Sequence, residues 1–143
     1  MTKIQENNEL EEFILGEKLG EGGFRTVYEY MPDDTKVIKV AKCVDGRGMN
    51  IIELRIWDEV KYSEHSKWFA PITDCSKTGK YLIQDKVESL PKSKYPKKIP
   101  AFLADINYNN FGFLKGKFVC IDFGIVHITK GLTSRLINAK WFG

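Results

Sequence analysis

The chain has 143 residues, 43% hydrophobic and 29% charged, with a net charge of +3. That balance excludes a disordered chain and gives one domain a modest core. No apolar run nears the roughly 18–20 residues of a membrane span, and the polar, acidic opening MTKIQENNELEE does not read as a secretory signal. The expected setting is therefore cytoplasmic, a host cytoplasm included. Cys43, Cys75 and Cys120 are far apart and odd in number, which suits reduced thiols rather than a disulfide framework or zinc site. His65 and His127 are too isolated for a histidine-based metal site.

Residues 1–12 read as an N-terminal extension. Residues 13–20 (FILGEKLG) read as a strand, and 24–30 (FRTVYEY) alternate as a second strand entered through glycines. Pro32-Asp33-Asp34 signals a turn into a third alternating strand at 36–42. The period then changes. Over 49–61, Ile52, Ile56 and Val60 recur at helical spacing, widened by Ile51 and Trp57, with Asn50 or the preceding loop as cap. Strands follow at 69–75 and 80–87 around a Thr78-Gly79 turn. The run PKSKYPKKIP at 91–100 reads as a solvated, lysine-rich linker, too short and too poor in interleaved aromatics for nucleic acid. Residues 111–121 form a hairpin with Lys115-Gly116 at its tip, and 131–142 suggest a short helix starting near Thr133 or Ser134. The fold class is α+β, with a five-stranded antiparallel sheet and one helix.

Several residue groups bear on chemistry. In LGEGGFRTV at 19–27, glycines between paired strands let backbone amides approach phosphates, although Gly22-Gly23 equally suits a plain hairpin turn. Lys39 and Val37 share one face of a strand, which suits a nucleotide as well as an ordinary surface lysine. Glu53 sits among apolar residues of the helix, either as a partner for Lys39 or as a solvent-facing carboxylate beside its rivals Asp58 and Glu59. Asp105 and Asn110 lie in the loop before the hairpin, and Asp122 follows it in IDFG. Carboxylates with an amide oxygen collect Mg²⁺, but Asp and Asn also favour turns.

In their order along the chain these groups resemble the signature of the protein kinases: a glycine-rich loop, a strand lysine, a helix glutamate, D-x-x-x-x-N, a short hairpin, then D-F-G. The resemblance covers residues 13–129. It implies ATP and Mg²⁺ as cofactors. Gly20, Gly22 and Gly23 would cover the phosphates, Lys39 would contact them with Glu53 as its partner, and Val27 and Val37 would sandwich the base. Asp85 to Val87 would be the hinge, Asp105 the catalytic aspartate, and Asn110 and Asp122 the metal ligands. It further implies an N-lobe over 13–87 and a much reduced C-lobe over 88–143, holding the catalytic loop, the metal hairpin and a short C-terminal helix.

The departures from the signature are specific. Arg25 stands where the third loop glycine would be, Leu103-Ala104 replaces the His-Arg pair, and Asn107 replaces the catalytic-loop lysine. The spans after Val87 and Gly124 are too short for the usual helices and activation segment. In this the chain resembles reduced bacterial effector kinases and small phage-encoded kinase-like proteins. The expectation is an atypical kinase that transfers the γ-phosphoryl group to a protein hydroxyl or to itself. The alternative is a nucleotide-binding pseudokinase that docks on another protein as inhibitor or scaffold. A protein partner or substrate is expected in both cases, with no role for membrane or nucleic acid; a homodimer that covers the missing lobe stays open. Leu136, Ile137, Trp141 and Phe142 either pack back on the core or form a partner surface.

Overall fold

The computed structural model describes residues 7–103, 106–123 and 132–143. The chain divides into two compact units, one made of Met1–Ile51 with Ile72–Lys86, the other of Ile52–Pro71 with Val87–Gly143.

In the first unit a short helix, α1 (Asn7–Glu11), precedes a five-stranded sheet. Its strands are β1 (Leu15–Glu21), β2 (Arg25–Tyr30), β3 (Lys36–Ala41), β4 (Ile72–Cys75) and β5 (Tyr81–Asp85), in the order β1-β2-β3-β5-β4 and antiparallel throughout. The connections carry their own turn chemistry. Asp33 accepts the backbone N–H of Thr35 at 2.9 Å and its hydroxyl at 2.6 Å, an Asx turn that closes β2 onto β3 and holds the Asp33 carboxyl below its ordinary range. Gly79 takes φ +79° between β4 and β5, and a Cβ there would meet the carbonyl of Arg47 at 2.5 Å.

The main helix, α2, runs Val44–Val60 and so begins well before the apolar repeat that suggested 49–61. Its buried stripe is Gly46, Asn50, Glu53, Ile56 and Val60. The first half of that stripe is polar or side-chainless, which is why hydrophobic spacing located only the second half. Two expectations are corrected here: Asn50 is a fully buried mid-helix residue rather than a cap, and Ile52 is 50% exposed while Glu53 is 0% exposed. Gly46 is required because a Cβ would collide with the carbonyl of Phe24.

In the second unit β7 (Phe111–Leu114) and β8 (Lys117–Cys120) form the expected hairpin, with Lys115 at φ 51° and Gly116 at φ 79°. Successive left-handed residues are what a two-residue hairpin turn with the native twist demands. Phe69 lies outside β4 and instead bridges to Cys120. The lysine-rich run is more than a linker. It contains a 3-10 turn, Lys92–Lys94, and a strand, β6 (Lys98–Pro100), whose Ile99 and Pro100 are buried.

The expected C-terminal helix is overturned. Leu136–Asn138 is a strand, β9, paired antiparallel with β6, and Ser134 donates its hydroxyl to Glu64 at 2.7 Å instead of capping a helix. The competing force is aromatic burial. Tyr95 meets the rings of Tyr108 at 4.8 Å, Phe113 at 5.2 Å, Trp141 at 5.2 Å and Phe118 at 5.8 Å, and burial raises its phenol pKa. Trp141 also donates its indole N–H to Pro96 at 2.8 Å. That anchor draws the tail out beside the linker, where backbone pairing replaces helical turns. Of the four apolar tail residues, Trp141 packs inward while Leu136, Ile137 and Phe142 stay 50%, 37% and 50% exposed. Among the described residues no helix is long and apolar enough to cross a membrane.

Trp141→Ala should therefore cost about 2–3 kcal/mol in urea unfolding, below the usual loss for a fully buried aromatic because the ring is half-buried, and Phe142→Ala less than about 1 kcal/mol. Equal losses at the two positions would contradict the tail's anchoring through Trp141.

Candidate functional site

In the first unit, the register of the sheet lines up expected site residues. Gly20 opposes Val27, Val27 opposes Lys39, and Lys39 opposes Leu82, so they form one cross-strand row. Val37 lies in the neighbouring row on the same face, between Glu29 and Gln84. Lys39 is only 5% exposed, with Leu82 and Gln84 beside it at 0% and 1%. A surface lysine is thereby ruled out. The sheet instead holds Lys39 at the buried end of a row whose other end, at Gly20, is exposed.

The loop between β1 and β2 is tied down from several sides. Gly22 donates its N–H to the carbonyl of Arg25 at 2.8 Å, and Lys42 donates its N–H to the carbonyl of Phe24 at 2.8 Å. The ammonium of Lys42 reaches Glu21 at 2.9 Å and the carbonyl of Gly22 at 3.2 Å. Its hydrogen bond, then that of Lys18, lowers the Glu21 carboxyl to about 2. None of Gly20, Gly22 and Gly23 has positive φ, and an added Cβ would meet nothing within 4 Å at Gly20 or Gly23 and only the Arg25 carbonyl, at 3.8 Å, at Gly22. Neither strain nor packing within the chain calls for glycine at these positions. Their smallness leaves the backbone open from outside.

Arg25, at the exit of this loop, turns inward. It is 8% exposed and donates to the side-chain oxygen of Asn50 at 2.9 Å. The Asn50 amide nitrogen in turn donates to the carbonyl of Gly79 at 2.8 Å and to that of Lys39 at 3.3 Å. One buried amide thus joins α2 to β2, to the strand position bearing Lys39, and to the β4–β5 turn. Arg25 stood out in the sequence only as a departure in the glycine-rich loop, and Asn50 only as a possible helix cap; the signal for their pairing was an asparagine at helical spacing from Gly46 and Glu53. At the end of β5, Asp85 opposes Lys36 and forms an ion pair with it, so its side chain is occupied within the sheet. The boundary between the two units falls after Lys86, and Val87 belongs to the second.

In the second unit, Glu53 accepts the backbone N–H of Phe123 at 3.0 Å in a fully buried contact. The alternative of a solvent-facing carboxylate is ruled out. The ring of Phe123 is 0% exposed and sits edge-on to Phe69 at 4.9 Å. The backbone of Asp122 is held on both sides: its N–H points at the carbonyl of Asn110 at 3.4 Å, and its carbonyl accepts the thiol of Cys120 at 3.2 Å. Ile121 donates to the same Asn110 carbonyl at 2.9 Å. Asn110 and Asp122 are therefore neighbours, set by the β7–β8 hairpin that separates them in sequence. Asn107 caps the 3-10 turn Tyr108–Asn110, its side chain accepting from Asn109 at 2.9 Å. Asp105 and Gly124 lie outside the described residues. Among the described residues, no group of three or more His, Cys, Asp or Glu side chains is placed to hold a metal ion. The neighbouring pair of an amide and a carboxylate is nonetheless the hard-oxygen chemistry that Mg²⁺ accepts when phosphates and water complete its shell.

No family profile matches the sequence, and no curated protein matches it. In three dimensions the chain is similar to APH(2″)-IIa, an aminoglycoside phosphotransferase solved in a ternary complex with streptomycin and ATP. The TM-score is 0.57 at 11% identity, over 87% of this chain and 73% of that one. The fold is protein kinase-like, with the five-stranded sheet and main helix of a kinase N-lobe and small additional sheets.

Asn50→Leu, close in volume, should cost about 2–4 kcal/mol in urea unfolding, because buried polar groups lose their partner. Combining it with Arg25→Met should cost less than the sum of the two, as coupled neighbours do. Strict additivity would sever the proposed link.

Because the folded Glu21 carboxyl is depressed, its stabilising contribution is present above the ordinary value of 4.5 and fades as pH falls toward about 2. An NMR titration of this carboxyl should show a depressed midpoint. It should rise in Lys42→Ala and with added salt, since the group is solvent-exposed.

Proposed function

We propose that this chain binds Mg-ATP and transfers its γ-phosphoryl group to a hydroxyl acceptor. The observation that carries the reading is the buried Lys39 in the same cross-strand row as Gly20 and Val27. A lysine is rarely kept at 5% exposure without a specific task. The protein kinase-like fold supports the reading, and so does a fold neighbour whose structure contains ATP.

In this proposal the amides of Gly20, Gly22 and Gly23 cover the phosphates, and Lys39 pairs with them, steadied by Glu53. Val27 and Val37 flank the base, and the segment Asp85 to Val87 meets its edge through backbone groups. Asn110 and Asp122 hold the magnesium. Bound Mg-ATP supplies the phosphoryl group and the cation that neutralises its developing charge. The bond from the γ-phosphorus to its bridging oxygen breaks, a bond to the acceptor oxygen forms, and Asp105 takes the hydroxyl proton. With so few groups, catalysis is mainly positioning and electrostatic stabilisation. The acceptor class favoured is a protein hydroxyl, the chain's own included; the fold neighbour with bound streptomycin makes a small polyhydroxylated molecule the natural comparison substrate.

A second reading has one observation in its favour. Asn107 stands where kinases carry the catalytic-loop lysine, and its side chain is committed to capping a turn. Binding without transfer, as a pseudokinase, follows if that missing contact is decisive.

The test begins with thermal unfolding in Mg-ATP. The wild type should gain several degrees at saturating nucleotide, and Lys39→Ala and Asp122→Ala should lose the gain. A radiolabelled transfer assay should then show incorporation that Asp105→Ala abolishes without loss of nucleotide stabilisation. No shift at millimolar nucleotide sinks the nucleotide reading; a shift without transfer leaves the pseudokinase.

A further inference from the structure

Among the described residues, the two-stranded ribbon of β6 and β9 ends in an edge that no other strand pairs with. Ala139 donates its N–H to Lys97 at 2.8 Å and Ala101 donates to Arg135 at 2.9 Å, on either side of the opposed pair Ile99 and Ile137. In an antiparallel ladder the bonded positions alternate. The N–H and C=O groups of Arg135, Ile137 and Ala139 therefore face β6, and those of Leu136 and Asn138 face outward. Among the described residues no further strand pairs with β9, and all of Leu136, Ile137 and Asn138 are exposed. Proteins usually blunt such an edge with proline, a bulge or a cover; β9 has no proline and no register irregularity.

The flanks are cationic. Arg135 and Lys140 stand at the two ends of β9, and Lys97 and Lys98 on the neighbouring strand, all exposed. Alternation puts Arg135 and Lys97 on one face of the ribbon and Lys98 and Lys140 on the other. Glu64, beside the start of β9, accepts the hydroxyl of Ser134 and lies within 4.0 Å of His65. These charges decide between occupants. A second copy adding its own β9 in antiparallel fashion would bring Arg135 toward Lys140 and Lys140 toward Arg135, and like charges across a strand pair destabilise it. A parallel copy would stack each cation near itself.

We propose that the outer edge of β9 takes an extended, acidic segment of a partner protein as an added strand. The backbone groups of Leu136 and Asn138 supply the ladder, Leu136 and Ile137 supply apolar contact, and the basic flanks select glutamate or aspartate at the ends of the incoming strand. The surface is independent of any nucleotide chemistry, so it stands or falls separately from the phosphotransfer reading.

The probe is a short fluorescent peptide with alternating valine and threonine at its centre and glutamates at both ends, titrated into the full chain. Saturable binding is expected, while the same peptide with lysine ends should not bind. Asn138→Pro removes an outward N–H without touching the bonds to β6, and proline is tolerated on edge strands. It should weaken binding about tenfold, the equivalent of one lost hydrogen bond. Should that variant fail to fold, the exposed pair Arg135→Glu with Lys140→Glu serves instead, and its preference should reverse to the lysine-ended peptide. Absence of saturable binding overturns the proposal. So does binding that both variants leave unchanged, an oligothymidylate that binds more tightly than the peptide at equal salt, or concentration-dependent self-association of the wild type that Asn138→Pro abolishes.

Discussion

The polar stripe buried along α2 is the constraint on which the rest depends. A helix that packs only through leucine and isoleucine can slide or rotate at modest cost, because apolar contact is non-directional. Asn50 and Glu53 remove that freedom. Asn50 must find the guanidinium of Arg25 and the carbonyls of Gly79 and Lys39, and Glu53 must find the N–H of Phe123. Leaving either side chain buried without these partners would cost more than an apolar mismatch. Each half of the helix is therefore fixed in rotation within its own unit, the first by Asn50 in the sheet unit and the second by Glu53 in the hairpin unit.

The same logic accounts for Arg25 at the exit of the loop. In this chain the loop does not rest on glycine alone. Arg25 secures its exit strand from beneath, while Lys42 and Glu21 secure it at the surface. The buried bond is protected from water and salt, whereas the exposed ion pair is screened. Rigidity in the loop thus comes mainly from the Arg25–Asn50 contact, and the open backbone at Gly20 and Gly23 is left without competing side chains.

In the second unit, aromatic packing closes the core. Tyr95, Tyr108, Phe111, Phe113, Phe118 and Trp141 gather the linker, the hairpin and the tail around shared ring contacts. Rings of this size bury much area per residue, so a short segment can close a core that would otherwise need a longer chain. The outcome is a small, tightly tied scaffold beneath Asn110 and Asp122, with an exposed ribbon at its margin.

Much of this was legible from local chemistry. Alternation of apolar residues set β2 and β3; Pro32-Asp33 set the turn between them and Lys115-Gly116 the tip of the β7–β8 hairpin; and the order of glycines, Lys39, Glu53, Asn110 and Asp122 pointed to the protein kinase-like fold, because each of these signals acts within a few residues. The start of α2, the burial of Asn50 and Glu53, and the inward turn of Arg25 were not legible, since a polar residue reads as exposed until its partner, far away in sequence, is known. The tail shows the limit most clearly. Residues 131–142 carry a weak helical pattern, and local propensity is worth only tenths of a kcal/mol per residue. The rings around Trp141 and the open side of β6 outweigh it. What the sequence by itself determined was the strands of the main sheet and of the β7–β8 hairpin, their turns and the chemically capable residues; tertiary structure alone decided the β6–β9 ribbon, which polar groups were buried together and what shape the tail took, because burial is settled by partners that only folding brings into contact.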